Sequence, residues 1–201
     1  MAAKDNLRIV LINYAGAKET CRRWHYTGSI GAPSTIRFGF WAGDRYDGLI
    51  AFNPNNTQPP KVTQFWERLS DGGKTVELSR IALRRQNQRE SPTTRYVSLA
   101  LSRLREMRLF DLLFTYSDPT YHEGTLYRAC SFYQYETTKG PSVTYVRPDG
   151  SFAHSRWSQD RGADWKVIRM KRKERYFFPL TKRCRKRIER MIADGDKRIL
   201  R

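Results

Sequence analysis

The sequence predicts an α/β fold in which a mixed central sheet is flanked by helices, and three observations predict it. Short β-branched and aromatic runs alternate along the chain with segments of helical periodicity. Residues 76 to 116 read as strand, polar turn, helix and strand, a unit that forms a parallel pair with a right-handed crossover. The apolar run Leu112, Leu113, Phe114 and Tyr116 then leads straight into a polar, glycine-containing helix start. Open α/β sheets place their ligands at such a carboxyl end.

The elements follow in order. Leu7 to Asn13 is apolar and β-branched, a first strand, and Ala17 to Trp24 is a short helix ending near His25, Tyr26, Thr27 and Gly28. Thr35 to Trp41 alternates, Ala42 to Gly48 supplies turn chemistry, and Leu49 to Phe52 returns, which predicts a β-hairpin. Asn53 to Pro60 is a loop. Val76 to Leu83 alternates as a half-buried strand does, and Arg84 to Glu90 breaks the pattern. Ser91 is then the N-cap, with Pro92 at the first helical position. The helix behind it spaces Val97, Leu101, Leu104 and Met107 on one face, with Arg95, Arg103 and Arg105 on others. After the strand at Leu112, Glu123 to Ser131 is a second short helix. Phe132 to Tyr135, Ser142 to Val146 and Ser151 to His154 are closing strands around Pro148, Asp149 and Gly150. This divides the chain into a catalytic domain over 1–160 and a basic, partly helical extension over 161–201.

Thirty-eight Lys and Arg against twenty Asp and Glu leave a net charge of +18 on 201 residues, far more than solubility requires. Such a charge implies a polyanionic partner held through phosphate contacts. No transmembrane run and no long basic amphipathic helix with an uninterrupted apolar face is present, which favours nucleic acid over a membrane surface. Lys171, Arg172 and Lys173, then Lys182, Arg183, Arg185, Lys186 and Arg187, flank Tyr176, Phe177 and Phe178. That pattern suits phosphate tracking with base stacking. The bland alternative is a solvated helical face whose aromatics pack on the domain. The first ten residues lack the pattern of a signal peptide, so the protein is expected in the compartment where it is made. Cys21, Cys130 and Cys184 are odd in number and widely spaced, which predicts reduced thiols, with Cys130 in the core.

The order strand, polar turn, helix, strand, followed by Gly124-Thr125-Leu126-Tyr127-Arg128-Ala129-Cys130-Ser131-Phe132, resembles the centre of the GNAT acyltransferase fold. Four segments together look like the Mom DNA-modification proteins of Mu-like bacteriophages. They are Trp24-His25-Tyr26, Leu78 to Leu83, Arg89-Glu90-Ser91, and Ser117-Asp118-Pro119 with His122, Gly124, Thr125, Tyr127 and Ala129 behind it. The resemblance spans residues 20 to 140. It implies a GNAT-like mixed sheet and hypermodification of adenine N6 in double-stranded phage DNA, inside the cytoplasm of the bacterial host cell. The product it implies is the carbamoylmethyl (methylcarbamoyl or acetamido) form, which shields DNA from host restriction.

One departure bears on the donor. GNAT enzymes hold the coenzyme A pyrophosphate on backbone N–H groups of a glycine-rich turn before a helix. Here that turn, Arg84 to Ser91, has no glycine. Arg84, Arg89 and Ser91, with Gly124 and Thr125 at the next helix start, are the expected donor or phosphate contacts. Acetyl-CoA would leave an acetamide on N6, whereas the implied product carries a CH2 on N6 and an extra nitrogen. The donor expected from this chemistry is a glycyl ester such as glycyl-tRNA, which adds tRNA as a partner; acetyl-CoA is the competing donor, and metal dependence stays open.

Adenine N6 is a poor nucleophile, so a site must position it and take up a proton. Asp118 is the first candidate to hydrogen-bond N6–H or act as base; its alternative is an Asp-Pro turn capping the next helix. Tyr127 stands where GNAT enzymes often place a tyrosine acid; its alternative is a core tyrosine with a satisfied hydroxyl. His25 and His122 are candidate proton shuttles or, with Asp118, metal ligands, against a structural role for each. Ser117 and Ser91 are candidate oxyanion donors, with helix capping as the alternative for Ser91. Tyr26 and Trp24 are candidates to stack on an extruded base, with core burial the default for Trp24. Two other function classes fit parts of the sequence: a nucleic-acid-binding module without catalysis, and an ordinary GNAT N-acetyltransferase.

Overall fold

The computed structural model describes residues 7–31, 36–54, 60–84, 92–119, 123–136, 143–150, 152–153, 164–169 and 171–200. The chain begins with β1 (Leu7–Leu11) and α1 (Tyr14–Trp24), whose N-cap Asn13 accepts the Gly16 N–H at 2.9 Å. The predicted hairpin is β2 (Ile36–Ala42) and β3 (Arg45–Pro54), closed through Gly43 and Asp44. Next comes α2 (Pro60–Leu69), where a loop is predicted up to Pro60 and no helix after it. Its Trp66 is fully buried and explains why the segment folds onto the sheet. β4 (Thr75–Leu83), α3 (Thr93–Met107) and β5 (Leu112–Ser117) form the expected unit, and β4 and β5 are parallel. Pro92 occupies the N-cap of α3 rather than its first turn, with no side-chain cap bond. The predicted cap, Ser91, lies outside the described residues.

The remainder departs from the expected order of closing strands. After α4 (Thr125–Ala129), β6 (Tyr133–Tyr135) enters the central sheet. By contrast β7 (Val143–Val146) and β8 (Phe152–Ala153) join β9 (Lys166–Arg169) in a separate sheet of order β8-β7-β9. β10 (Glu174–Pro179), α5 (Lys182–Ala193) and β11 (Ile199–Leu200) follow. The central sheet has the order β1-β2-β3-β4-β5-β10-β6-β11. The division expected at residue 160 therefore runs through one sheet, because β10 sits between β5 and β6.

Tyr176 and Phe177 are 0% exposed and Phe178 is 7%. They are core residues of an interior strand, which corrects their expected use as base-stacking surfaces. An interior strand is covered on both faces, so three consecutive aromatics are what it needs.

Three layers result. One face of the sheet packs Val76, Leu113, Tyr127 and Phe178 with Val97, Leu101 and Leu104 of α3. On the other, Leu112, Phe114 and Phe177 pack with Trp66 of α2 and Ile188 of α5, while Leu49, Ala51 and Ala82 pack with Ala17 and Cys21 of α1. Trp66 stacks on Phe114 at 4.7 Å and 14°. The three cysteines are free and buried. Among the described residues no helix is long and apolar enough to cross a membrane.

Candidate active site

The sheet forks. β4 and β5 pair only through Thr75↔Leu112, Val76↔Leu113 and Glu77↔Phe114. Beyond that point β4 stays with β3 as far as Leu83, while β5 stays with β10 as far as Ser117. The two halves of the sheet diverge, leaving a cleft between Leu78 to Leu83 on one side and Thr115 to Ser117 on the other. At its root the Thr115 hydroxyl donates to the Leu78 carbonyl at 2.9 Å, replacing the lost ladder bond by a side chain. Buried carbonyls require a partner, and the threonine supplies it where the strands part.

Tyr127 reaches the same point from α4. Its hydroxyl lies 3.5 Å from Thr115 Oγ1, and its ring packs on Tyr176 at 5.0 Å and on Phe132 at 5.5 Å. Burial pushes its phenol above the usual value of 10.0, against a smaller opposing effect of the Thr115 contact. A raised phenol stays protonated at neutral pH and can only give a proton, not take one. The Tyr26 phenol raises it further, although Tyr26 follows α1 on the opposite face of the sheet. Tyr26 is 55% exposed, its ring 4.4 Å from that of His25. His25 Nδ1 is 2.7 Å from the Thr27 hydroxyl. His25 and Tyr26 form a ring pair just past the end of α1. Trp24 is half-buried and packs toward Tyr46 at 5.7 Å.

Asp118 directly follows β5, only 8% exposed, beside the fully buried Ser117. α4 is capped by Gly124, which has no side chain to bond the first turn. Gly124 has φ 67, and a Cβ there would run into the Tyr176 ring. Glycine is needed for both reasons. Arg128 fastens this corner: it donates to the Glu123 carbonyl at 2.8 Å, to the Tyr176 hydroxyl at 3.1 Å and to Thr125 Oγ1 at 3.3 Å. Tyr176 in turn donates to Glu174 at 2.8 Å, and its phenol is pushed up to about 12, by burial first and the Glu174 bond second. Gly124 and Thr125, expected at a donor phosphate, begin α4 at this corner, Gly124 buried and Thr125 exposed.

On the α2 face of the fork, Glu77 sits on the last paired position and, with burial as the larger cause, raises the Tyr116 phenol. Trp66 Nε1 donates to that phenol at 3.3 Å. Asn53, paired across from Glu77, is buried with its Oδ1 unpartnered. Glu77, Thr115, Arg128 and Asn53 escape a sequence reading. Glu77 and Asn53 fall within ordinary strand patterns, and only the pairing register brings them to the fork.

Arg84 directly follows β4, its backbone N–H donating to the Asp47 carbonyl at 2.9 Å. Asp47 is 1% exposed and accepts from Tyr96 at 2.8 Å and Arg45 at 3.0 Å, a buried anchor for the start of α3. Arg89, Ser91 and His122 lie outside the described residues. Lys171, Arg172 and Lys173 are exposed just before β10, and Lys182, Arg183, Arg185 and Lys186 are exposed on α5. Arg187 is engaged in structure instead, 3.1 Å from Asp71 and bonded to the Arg68 carbonyl at 3.1 Å. Among the described residues no three His, Cys, Asp or Glu side chains gather as a metal site.

Comparison with known proteins places this geometry. A Bacillus subtilis acetyltransferase in complex with CoA is similar with a TM-score of 0.51 at 16% identity, covering 87% of this chain and 99% of its own. An N-acyl amino acid synthase from uncultured soil microbes gives 0.51 at 13% identity, covering 88% and 92%. The spermidine/spermine N-acetyltransferase of Vibrio cholerae gives 0.51 at 12%, covering 90% and 96%. The fold is GNAT-like. No curated protein matches the sequence. A model of the Mom protein family matches residues 6–194.

Proposed function

The chain belongs to the Mom protein family, and on that premise we propose that it hypermodifies adenine in DNA, converting N6 to the carbamoylmethyl form that protects phage DNA from host restriction. One observation supports the reading: where β4 and β5 cease to pair, the buried Tyr127, its phenol raised by burial, lies beside Thr115, and Asp118 directly follows the same strand.

The chemistry suits those groups. Asp118 hydrogen-bonds N6–H and takes the proton as N6 attacks, and Tyr127 gives its proton to the departing oxygen of the donor. Tyr26 stacks on the target adenine, which must leave the duplex for N6 to enter a cleft of this kind. The donor is a glycyl ester such as glycyl-tRNA. N6 attacks the ester carbonyl, expelling the ribose oxygen and forming a glycyl amide. The free glycyl amine then attacks C6 through a five-membered ring, and the C6–N6 bond breaks, so that the former N6 leaves as the terminal carboxamide. One amino acid thereby supplies two carbons and one nitrogen. The absence of glycine from Arg84 to Ser91 supports this donor over acetyl-CoA.

Mass spectrometry of nucleosides from plasmid DNA after expression tests the reading. A deoxyadenosine heavier by one carbamoylmethyl group is expected, and with purified protein, DNA and charged tRNA the label of glycine should appear in it. Unmodified DNA with salt-dependent binding would support a binding module instead. A modified base made from acetyl-CoA alone would remove the glycyl donor.

A further inference from the structure

A cavity of about 620 Å³ lies at the opposite end of the sheet from the cleft, where β4 and β5 begin and α3 and β10 end. Leu112, at the near end of β5, is separated from Ser117 at the cleft by roughly 17 Å of extended chain. Five cations line the cavity, Lys74, Arg105, Arg108, Lys182 and Arg183, against one carboxylate, Asp111. That carboxylate is already used by the fold. It accepts the Lys74 N–H at 3.1 Å and the Thr181 hydroxyl at 3.2 Å, with Arg183 at 3.9 Å. Among the described residues no carboxylate lies within ion-pair distance of the Lys74, Arg105, Arg108 or Lys182 side chains. The Arg105 guanidinium lies over the Phe178 ring at 4.7 Å, which fixes its plane.

Arg108 is the telling residue. It closes α3 at φ 53 and ψ 27, the left-handed cap conformation that glycine adopts without cost and other residues do not. An arginine at a position that glycine would fill with less strain sets a cation into the cavity lining at some cost in backbone energy. The dodecapeptide helix α5 also opens onto the cavity with its N-terminus, capped by Thr181, and continues outward with exposed Arg185 and Lys186. The cationic surface is therefore a strip leading into a basin, a shape for a polymer rather than a single small anion.

We propose that this basin binds the phosphodiester backbone of a nucleic acid, at a site separate from the cleft, with Arg105, Arg108 and Lys182 as its principal contacts. It rests on the reading above only in taking nucleic acid as the polyanion. A nucleic acid gripped here is held about one strand length from the chemistry, so affinity and reaction are carried by different ends of the sheet.

The full chain, with Arg108→Gly and Arg105→Gln variants singly and together, is titrated by fluorescence anisotropy against a labelled DNA duplex and a folded RNA at several salt concentrations. Each substitution is expected to reduce the slope of log affinity against log salt by about 0.9, and the pair to weaken binding on the order of tenfold at low salt. Arg108→Gly is expected to melt at or above the parent temperature, because glycine relieves the left-handed cap. A loss confined to the duplex assigns DNA to the basin, and one confined to the RNA assigns RNA. Unchanged slopes with both probes overturn the proposal, and so does a fall in melting temperature of Arg108→Gly with no change in slope. Arg105→Gln gives a second measurement independent of the cap. Because no modified nucleoside is read, failure here leaves the cleft chemistry standing, and an unmodified nucleoside leaves the basin standing.

Discussion

Replacing Thr115 by valine tests the fork of the sheet directly. Valine keeps the shape of threonine and removes only the hydroxyl. Thr115 is 2% exposed and bonds the Leu78 carbonyl at 2.9 Å, at the first position past the end of the parallel ladder. Its loss leaves a carbonyl unpaired, a cost of about 1–3 kcal/mol, with water entering the cleft pulling the value toward the lower end. The 3.5 Å approach to Tyr127 is too long to add much. A destabilisation of about 2 kcal/mol in a chain of this length lowers Tm by about 4 to 8 °C. Thr115→Ser supplies the control, since it keeps the hydroxyl and removes a methyl group at about 1 kcal/mol. Thermal unfolding followed by circular dichroism should rank the parent above Thr115→Ser and that above Thr115→Val. A valine variant as stable as the serine one would mean that the hydroxyl does not bridge the strands, and the account of the fork would fail.

Other outcomes follow from the same site. Tyr127→Phe keeps the ring against Tyr176 and Phe132 and should fold normally, yet slow modification by about 10²-fold, as loss of a general acid does; an unchanged rate would strip Tyr127 of its role. With its phenol raised above 10.0, that acid stays protonated, so no alkaline loss of rate should arise from it below pH 10.0. Asp118→Ala should abolish modification while binding of a DNA duplex persists, and equal loss of both would undo the separation of chemistry from affinity. Burial raises Cys21 and Cys130 from 9.0 to about 11 and Cys184 to about 12. The unfolded thiols ionise first, so their contribution to stability is complete below pH 9.0 and declines as pH rises toward 11. Tm measured from pH 8 to pH 11 should fall, and a variant with all three cysteines replaced by alanine should fall less steeply.

The fold class was legible because its signals are local. The alternation of Val76 to Leu83, the helical spacing of Val97 to Met107 and the apolar start of β5 each fit within a few residues. α2 carries its own signal, since Val62, Phe65, Trp66 and Leu69 stand at helical spacing behind the proline-rich loop, and Trp66 stacks on a strand about fifty residues away. β10 was misread on local composition. Cations on either side of Tyr176, Phe177 and Phe178 set the local composition, while burial is decided by β5 and β6. Among the candidate residues, Asp118 draws notice as a polar group just past an apolar strand, and Tyr127, His25 and Tyr26 through the family resemblance. Glu77, Thr115 and Asn53 do not, since the point at which two strands stop pairing is written in register, not in residue type.

The place of β10 has a consequence for the order in which the protein can be built. β5 closes at Ser117, and its neighbour on the far side of the fork is not synthesised until Glu174 to Pro179. During translation the amino-terminal half of the sheet, β1 to β4, has all its hairpin partners at hand, whereas β5 and β6 wait with open edges. Exposed strand edges invite pairing with other chains. Nascent or truncated chains ending before residue 174 should therefore associate or be degraded, while those extending past α5 fold, because a strand made late is the one that bridges β5 to β6.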